Sequence, residues 1–381
     1  MSPTRVLSIF GTRPEAVKMS PLVQALQANP AIESQVCVTA QHREMLDQVL
    51  DLFAIHPDYD LDLMKPDQSL AALTAGIFTH LDPVLEQTDP DWVLVQGDTT
   101  TVMAASLAAF YRGIKVGHVE AGLRTGDKRQ PFPEEINRRV TSVVADLHFA
   151  PTDYSRDNLL REGIPDWRIT VTGNTVIDAL QQIVNAEPPA QVTGWLREWG
   201  ISQGGRRLVW VTAHRRENFG APIRSICEAI KALSARYADD VHFVYPVHLN
   251  PNIQKPVREL LSDRPNISLI DPVDYLTMVH LMKNAYLVLT DSGGIQEEAS
   301  GLGKPTLVLR EVTERPEGVE AGVLKLVGSD TAVIVENTTR LLEDPGVFRE
   351  MSRATRVFGD GKASARIVDS LLSFEDKTAS V

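Results

Sequence analysis

Val6-Leu7-Ser8-Ile9-Phe10 runs directly into Gly11-Thr12-Arg13-Pro14-Glu15-Ala16-Val17-Lys18. The first five residues are a short, nearly continuous apolar run, as expected of a parallel strand covered on both faces. Gly11 permits a tight turn. Pro14 suits the first turn of a helix, where a missing N–H costs little. A buried strand that turns at once into a helix is the repeating unit of a doubly wound α/β sheet. The same alternation recurs along the chain. Candidate strands follow at 36–39, 92–96, 115–119, 147–150 and 169–172. A second series lies at 208–212, 242–246, 267–270, 286–290, 306–309 and, more weakly, 332–335. Helical patterns lie between them, as at 101–111 and 221–237. The expected fold is α/β, with two Rossmann-like parallel-sheet domains.

The chain has 381 residues, enough for two domains that each bury a core. Its 43% hydrophobic and 23% charged residues are ordinary for a globular protein. The boundary is expected near residues 170–180, and 184–207, with Glu187-Pro188-Pro189 and Gly204-Gly205, reads as exposed connections. No repeat relates the halves, and no tract is of low complexity. No apolar run reaches the roughly 18–20 residues that span a bilayer, and no signal-peptide pattern opens the chain. Cys37 and Cys227 stand far apart in apolar settings. They read as two buried thiols, so a cytoplasmic location is expected. A formal charge of −12 disfavours nucleic acid and anionic membranes as partners. An anionic ligand then needs a local nest of cations and backbone N–H groups.

In open α/β sheets, ligands bind beyond the C-terminal strand ends, and five motifs stand there. Gly11–Lys18 offers Arg13 and Lys18 to a phosphate, or is an ordinary turn with two solvated cations. It is neither G-x-G-x-x-G nor a P-loop. Gln96-Gly97-Asp98-Thr99-Thr100-Thr101 offers Asp98 as an acid or base, or as a helix cap. In His118-Val119-Glu120-Ala121-Gly122-Leu123-Arg124-Thr125, Glu120 is a carboxylate on an apolar strand, costly unless paired. Arg124 is its candidate partner. Downstream, Glu134 either serves the site or stabilises the start of a helix. Thr212-Ala213-His214-Arg215-Arg216-Glu217-Asn218 brings three potential cations to the first strand end of the second half. Thr290-Asp291-Ser292-Gly293-Gly294-Ile295-Gln296-Glu297-Glu298 reads as a strand, a Ser N-cap and glycines opening a helix, a cradle for a diphosphate. Glu298 is placed to accept from a ribose diol, and Arg315 follows the next strand. No metal signature and no nucleophile elbow is present.

These motifs, in this order, resemble the non-hydrolysing UDP-N-acetylglucosamine 2-epimerase family. The resemblance covers nearly the whole chain, through 11–15, 97–100, 118–123, 213–218, 291–298 and 313–317. It implies a glycosyltransferase-B-like pair of domains facing a cleft, usually in a homodimer. The implied division is a sugar domain over 1–172, a UDP domain over 173–360, and a helix and tail over 361–381 packing back on the first domain. It implies that Arg13, His214, Val273, Met278, Ser292, Gly293, Gly294, Glu298 and Arg315 hold the UDP portion. Lys18, Asp98, Glu120 and Glu134 then surround the sugar. Asp98, Glu120, Glu134 and His214 are the catalytic candidates, with no cofactor and no metal.

Carbon 2 of the sugar lies beside no carbonyl, so its proton is too weakly acidic for simple removal and return. The family instead expels UDP from carbon 1 while a base takes the carbon 2 proton, giving a 2-acetamidoglucal to which UDP re-adds. Some bacterial members bind a second substrate molecule as activator. Gln41, Glu134, Arg215 and His248 match residues lining that site, whereas Glu44 replaces a glutamine and Asp67 an arginine. Two such changes predict weak or altered activation; a rate curve as sigmoidal as in activated relatives would contradict it. Three other readings compete. A hydrolysing epimerase would release N-acetylmannosamine and UDP. A retaining glycosyltransferase would transfer the sugar to an acceptor. A silent binding protein would have lost the carboxylates, all of which are present.

Overall fold

A computed structural model of the chain describes residues 2–39, 43–63, 68–201, 205–353 and 356–374. It divides into two compact units, residues 1–179 with the segment from 359 onward, and residues 180–358. The first unit contains β1 (Thr4–Phe10), β2 (Ile32–Val38), β3 (Tyr59–Asp60), β4 (Trp92–Gln96), β5 (Lys115–Val119), β6 (Leu147–Ala150) and β7 (Ile169–Val171). They form one sheet in the order β3-β2-β1-β4-β5-β6-β7. The second unit contains β8 (Arg207–Thr212), β9 (Val241–Pro246), β10 (Ile267–Ile270), β11 (Ala285–Thr290), β12 (Thr306–Val308) and β13 (Leu324–Leu326). Their order is β10-β9-β8-β11-β12-β13. Every pairing in both sheets is parallel. Both orders reverse direction once, between β1 and β4 and between β8 and β11. Those reversals are where α/β sheets open a crevice for ligands. The expected pair of Rossmann-like domains is therefore what the chain forms.

Both sheets are buried on two faces, which is why their strands read as continuous apolar runs. Leu7 and Ile9 of β1 pack with Val93 and Val95 of β4 in the first core. Val209 and Val211 of β8 pack with Leu287 and Leu289 of β11 in the second. Each such side chain contributes about 1.5–3 kcal/mol by leaving water. In the first unit the helix Ala363–Leu372 packs on the helix Arg13–Gln27. Its N-terminus is held by Asp178, which accepts from the amides of Ala363 at 3.2 Å and Ser364 at 2.8 Å.

Two expectations need correction. Residues 332–335 are not a strand but lie in the helix Thr331–Glu343, capped by Asp330, which accepts from the Val333 amide at 3.0 Å. A β-branched run imitated a strand there, while Ile334, Thr338, Leu341 and Leu342 carry the helical face. The last strand of the second sheet is β13, whose short apolar run is broken by the exposed Lys325. Residues 184–189 are connections, as expected, and lead into the helix Ala190–Glu198, which buries Val192. No helix among the described residues is long and apolar enough to cross a membrane.

Candidate active site

The polar residues singled out in the sequence gather at the C-terminal strand ends, in two sets, one in each unit. In the first unit, Thr12 caps the helix Arg13–Gln27 in a reciprocal capping box with Glu15. Glu15 accepts from the amides of Gly11 at 2.9 Å and Thr12 at 2.6 Å, and from the Thr99 hydroxyl at 2.6 Å. Gly11 is needed for closeness, not for a left-handed turn: a Cβ there would lie 1.9 Å from Thr39 Oγ1. Arg13 and Lys18 follow on the same helix, Arg13 half-buried and Lys18 buried.

Glu120 stands one residue beyond β5 with φ of 63°, a left-handed conformation that is rare for such a side chain. Strain of this kind persists where surrounding contacts enforce it, and it concentrates at functional sites. The enforcing contacts are Lys18 Nζ and Gln96 Nε2, both donating to Glu120 Oε2. This overturns Arg124 as its partner. Arg124 instead donates to both oxygens of Glu162, at 2.8 and 2.7 Å, and to Ser142. Lys18 is thus committed to a carboxylate.

Asp98 does not cap the helix Thr100–Tyr111; Thr99 does, accepting from the Val102 amide. The Asp98 side chain is 30% exposed, with Arg138 3.5 Å from Oδ2. The buried Arg138 also meets Glu135 at 3.1 Å. Glu135, fully buried, accepts from the amides of Thr125 and Gly126 and so ties their loop to the helix Glu134–Val144. Glu134 opens that helix, half-buried beside this network. His118 donates through Nε2 to the Gly97 carbonyl at 2.7 Å, and burial pushes it down to about 4. It is a neutral support for the loop carrying Asp98.

In the second unit the central group is Asp291, directly after β11 and fully buried. Its Oδ2 accepts from the amides of His214 and Arg215, each at 2.8 Å, and from Asn218 at 2.9 Å. Its Oδ1 lies 3.6 Å from His214 Nδ1. His214 stacks on His248 with ring centroids 5.5 Å apart. Burial lowers the His214 pKa, with Asp291 opposing and the Arg215 charge assisting.

Ser292 occupies the N-cap position of the helix Gly293–Gly301, but its side chain makes no capping bond. At Gly293 a Cβ would lie 2.6 Å from Arg315 Nη1, so the missing side chain makes room for a guanidinium over the helix start. Arg315 Nε donates to the buried Glu297 at 2.7 Å. Arg310 joins Glu217 at 2.5 Å and Glu314 at 2.9 Å. Burial raises the Glu314 carboxyl, but Arg310 and Arg315 outweigh it and hold the group at about 2. Glu298 is buried within the same helix. Val273 and Met278 are half-buried against the neighbouring apolar core.

Among the activator-site candidates, Gln41 and Asp67 lie outside the described residues, and Glu44 falls in the helix Arg43–Leu52. Arg215 and His248 sit in the second unit, beside His214. Glu15, Glu135, Asp291, Glu297 and Glu314 were missed as site-building groups. Glu15 had a visible signal, the Thr-x-x-Glu spacing of a capping box. Both cysteines are free and buried, each pushed up to about 12 by burial.

The fold and the two residue sets define an α/β protein of two parallel-sheet units, each carrying paired carboxylates and cations at its strand ends. The chain belongs to the UDP-N-acetylglucosamine 2-epimerase family, whose sequence model matches residues 24–372. It is 55% identical over 371 residues to the UDP-N-acetylglucosamine 2-epimerase of Yersinia pestis, covering 96% of this chain and 98% of that one. The Escherichia coli enzyme of the same name is 53% identical with the same coverage. The crystal structure of the Neisseria meningitidis UDP-GlcNAc 2-epimerase bound to UDP-GlcNAc is 51% identical. It superposes with a TM-score of 0.92, covering 97% of this chain and all of that one.

Proposed function

We propose that the protein interconverts UDP-N-acetylglucosamine and UDP-N-acetylmannosamine by eliminating UDP and adding it back. A carboxylate takes the proton from carbon 2 while the bond from carbon 1 to the diphosphate oxygen breaks. The electron pair of the C–H bond becomes the C1–C2 double bond of a 2-acetamidoglucal. A proton then reaches carbon 2 from the opposite face, and UDP re-forms its bond to carbon 1. No step of this elimination and re-addition passes electrons to or from an external acceptor, so this route calls for no redox cofactor.

The observation that carries this reading, in a member of this family, is which groups each unit sets at its strand ends. The first unit concentrates Asp98, Glu120 and Glu134 at its strand ends, as proton transfer requires. The second supplies Arg315, His214 and the start of the helix Gly293–Gly301, groups suited to a departing diphosphate. Asp98, whose side chain is 30% exposed, and Glu134 are assigned to proton transfer. Glu120, clamped by Lys18 and Gln96, orients the sugar. We place the enzyme in the cytoplasm as a homodimer. The helix Glu134–Val144 leaves Ile136 40% and Val143 83% exposed on its outer face, an apolar stripe that a second copy would cover. Sedimentation of the purified protein as a monomer would remove that assignment.

The test is incubation with UDP-N-acetylglucosamine in D₂O, without added metal or nicotinamide, followed by proton NMR. UDP-N-acetylmannosamine carrying deuterium at carbon 2 is the expected product. Free N-acetylmannosamine with UDP would place the protein among hydrolysing epimerases. Unchanged substrate without deuterium uptake would overturn the reading.

A further inference from the structure

We propose that Glu15 is a positioning residue for Asp98, acting through the Thr99 hydroxyl; the inference rests on the epimerase reading and concerns the same site. Glu15 is 2% exposed. A carboxylate so deeply buried is costly unless its lone pairs are used. Burial accordingly raises its pKa, while its hydrogen bonds from Thr99, Gly11 and Thr12 work against that rise. Capping one helix needs only the bonds to Gly11 and Thr12. The remaining oxygen, Oε1, is spent on Thr99, 84 positions away in sequence.

That third bond crosses the reversal point of the sheet. Gly11 and Thr12 follow β1, Thr99 follows β4, and β1 and β4 are neighbours in register from Val6 and Trp92 to Ile9 and Val95. One carboxylate therefore staples the two turns between which the crevice opens. Asp98 is the residue immediately before the stapled hydroxyl.

The loop around Asp98 is held at each residue by a different element. Gly97 donates its amide to Val119 at 3.0 Å and accepts from His118 at 2.7 Å. The Asp98 carbonyl accepts from Asn137 Nδ2 at 3.0 Å, and its carboxylate faces Arg138. Thr99 is tied to Glu15. Without the last tie, the Asp98 side chain is anchored on one flank only. The same helix that carries Glu15 carries Lys18, one turn on, and Lys18 holds Glu120. The helix Arg13–Gln27 thus fixes two of the three carboxylates assigned to the sugar, one directly and one through a threonine.

Catalytic geometry is sensitive to displacements of about 1 Å, which can cost about 100-fold in rate. Glu15→Ala is expected to lower kcat by about 10- to 100-fold while KM changes less than about threefold, because, Arg13 apart, the groups assigned to the UDP portion lie in the other unit. Glu15→Gln is the rescue. Its amide oxygen can accept from the same two N–H groups and its NH₂ can donate to Thr99, so it should recover most of kcat. Thr99→Val breaks the same tie from the other end and serves if Glu15→Ala fails to fold; Thr99→Ser should behave as wild type does. The double variant Glu15→Ala with Thr99→Val should lose clearly less than the product of the two single losses, since the shared link is removed only once while each variant also removes a helix cap of its own.

Wild-type turnover is read in the same assay. An inactive wild type would overturn the epimerase reading and this proposal with it. An active wild type with unchanged kcat in folded Glu15→Ala and Thr99→Val would overturn the positioning role alone. Effects that multiply in the double variant, or that fall on KM, would also overturn it.

Discussion

The two units share a strand order and differ in what they place at the point where it reverses. In both, a buried carboxylate occupies the backbone N–H groups of the turn after the first strand. In the first unit this is Glu15, on Gly11 and Thr12. In the second it is Asp291, on His214 and Arg215. Those are the groups that a Rossmann domain commonly offers to a phosphate. Here the chain fills them from within, so neither first turn is left as an anion nest. The units then diverge. The first keeps its carboxylates and neutralises them locally, Glu120 with Lys18 and Asp98 with Arg138. The second sets Arg315 over the start of a glycine-led helix. One scaffold can therefore be biased toward proton transfer or toward anion binding by a few residues at its strand ends, with the sheet unchanged.

This division makes a sharp demand on kinetics, and the largest expected effect is at Asp98. Asp98→Asn keeps the shape and the neighbours of the side chain but removes its basicity. It should cut kcat by about 10²- to 10⁴-fold, the usual worth of a positioned acid or base. KM should move little, and deuterium uptake at carbon 2 should fall with kcat. Steady-state rates and NMR exchange measure both. A raised KM with intact kcat would break the division, because the first unit would then be a binding unit.

The next effect separates the units by acid stability. His118 and His148 are register partners on β5 and β6, both fully buried. Burial pushes them down to about 4 and about 3. Below the ordinary histidine value near 6.5 the unfolded chain takes protons that the folded sheet refuses. Stability from this source is full above about pH 6.5 and drains as pH falls toward 4. By pH 5 the loss is about 2 kcal/mol for each histidine. The second sheet has His242, also pushed down to about 4 by burial, but without such a partner. Urea unfolding at pH 7.5 and pH 5 should show the loss, and because the first sheet holds two such histidines, His118→Leu with His148→Leu should remove about twice as much of it as His242→Leu. Equal slopes in the two variants would mean that the units do not differ in this respect.

The fold was legible because both sheets are covered on both faces. Trp92–Gln96, Lys115–Val119, Leu147–Ala150 and Ile267–Ile270 were read at their observed limits. The failures were local. β3 has only two residues and β13 is broken by the exposed Lys325, whereas the equally short β7 and β12 were read because their β-branched and apolar runs are uninterrupted. The run at 332–335 was misread because β-branched residues also fill helices whose face is buried. The residues at the strand ends were legible as candidates, since polar groups interrupting apolar runs stand out. Their partners were not. Nothing in spacing says that Glu120 meets Lys18 across 102 positions while Arg124 goes to Glu162. Pairings of that kind are set by which strands become neighbours, and strand order is a global property.

The smallest expected effect tests the second unit where the comparison with the first is most exposed. Gly293 has no unusual backbone conformation; what it lacks is a side chain. A Cβ there would meet Arg315 at Nη1, Cζ and Nη2, at 2.6, 2.9 and 3.1 Å. Gly293→Ala must therefore displace a guanidinium that is anchored on Glu297 and faces Glu314 at 3.6 Å. Moving one charge-assisted contact away from a diphosphate should raise KM about tenfold, or about 1.4 kcal/mol, just below the roughly 1.5–3 kcal/mol of such bonds because the contact is displaced and not deleted. kcat should hold, because the carboxylates are in the other unit. Alanine is a better helix former than glycine by about 0.5–1 kcal/mol, so the helix Gly293–Gly301 should be no less stable, and a thermal melt separates lost binding from lost folding. If KM for UDP-N-acetylglucosamine stays at the wild-type value, Arg315 and this helix start do not hold the diphosphate. The cationic half of the comparison would then have to be rebuilt around His214 and Arg215.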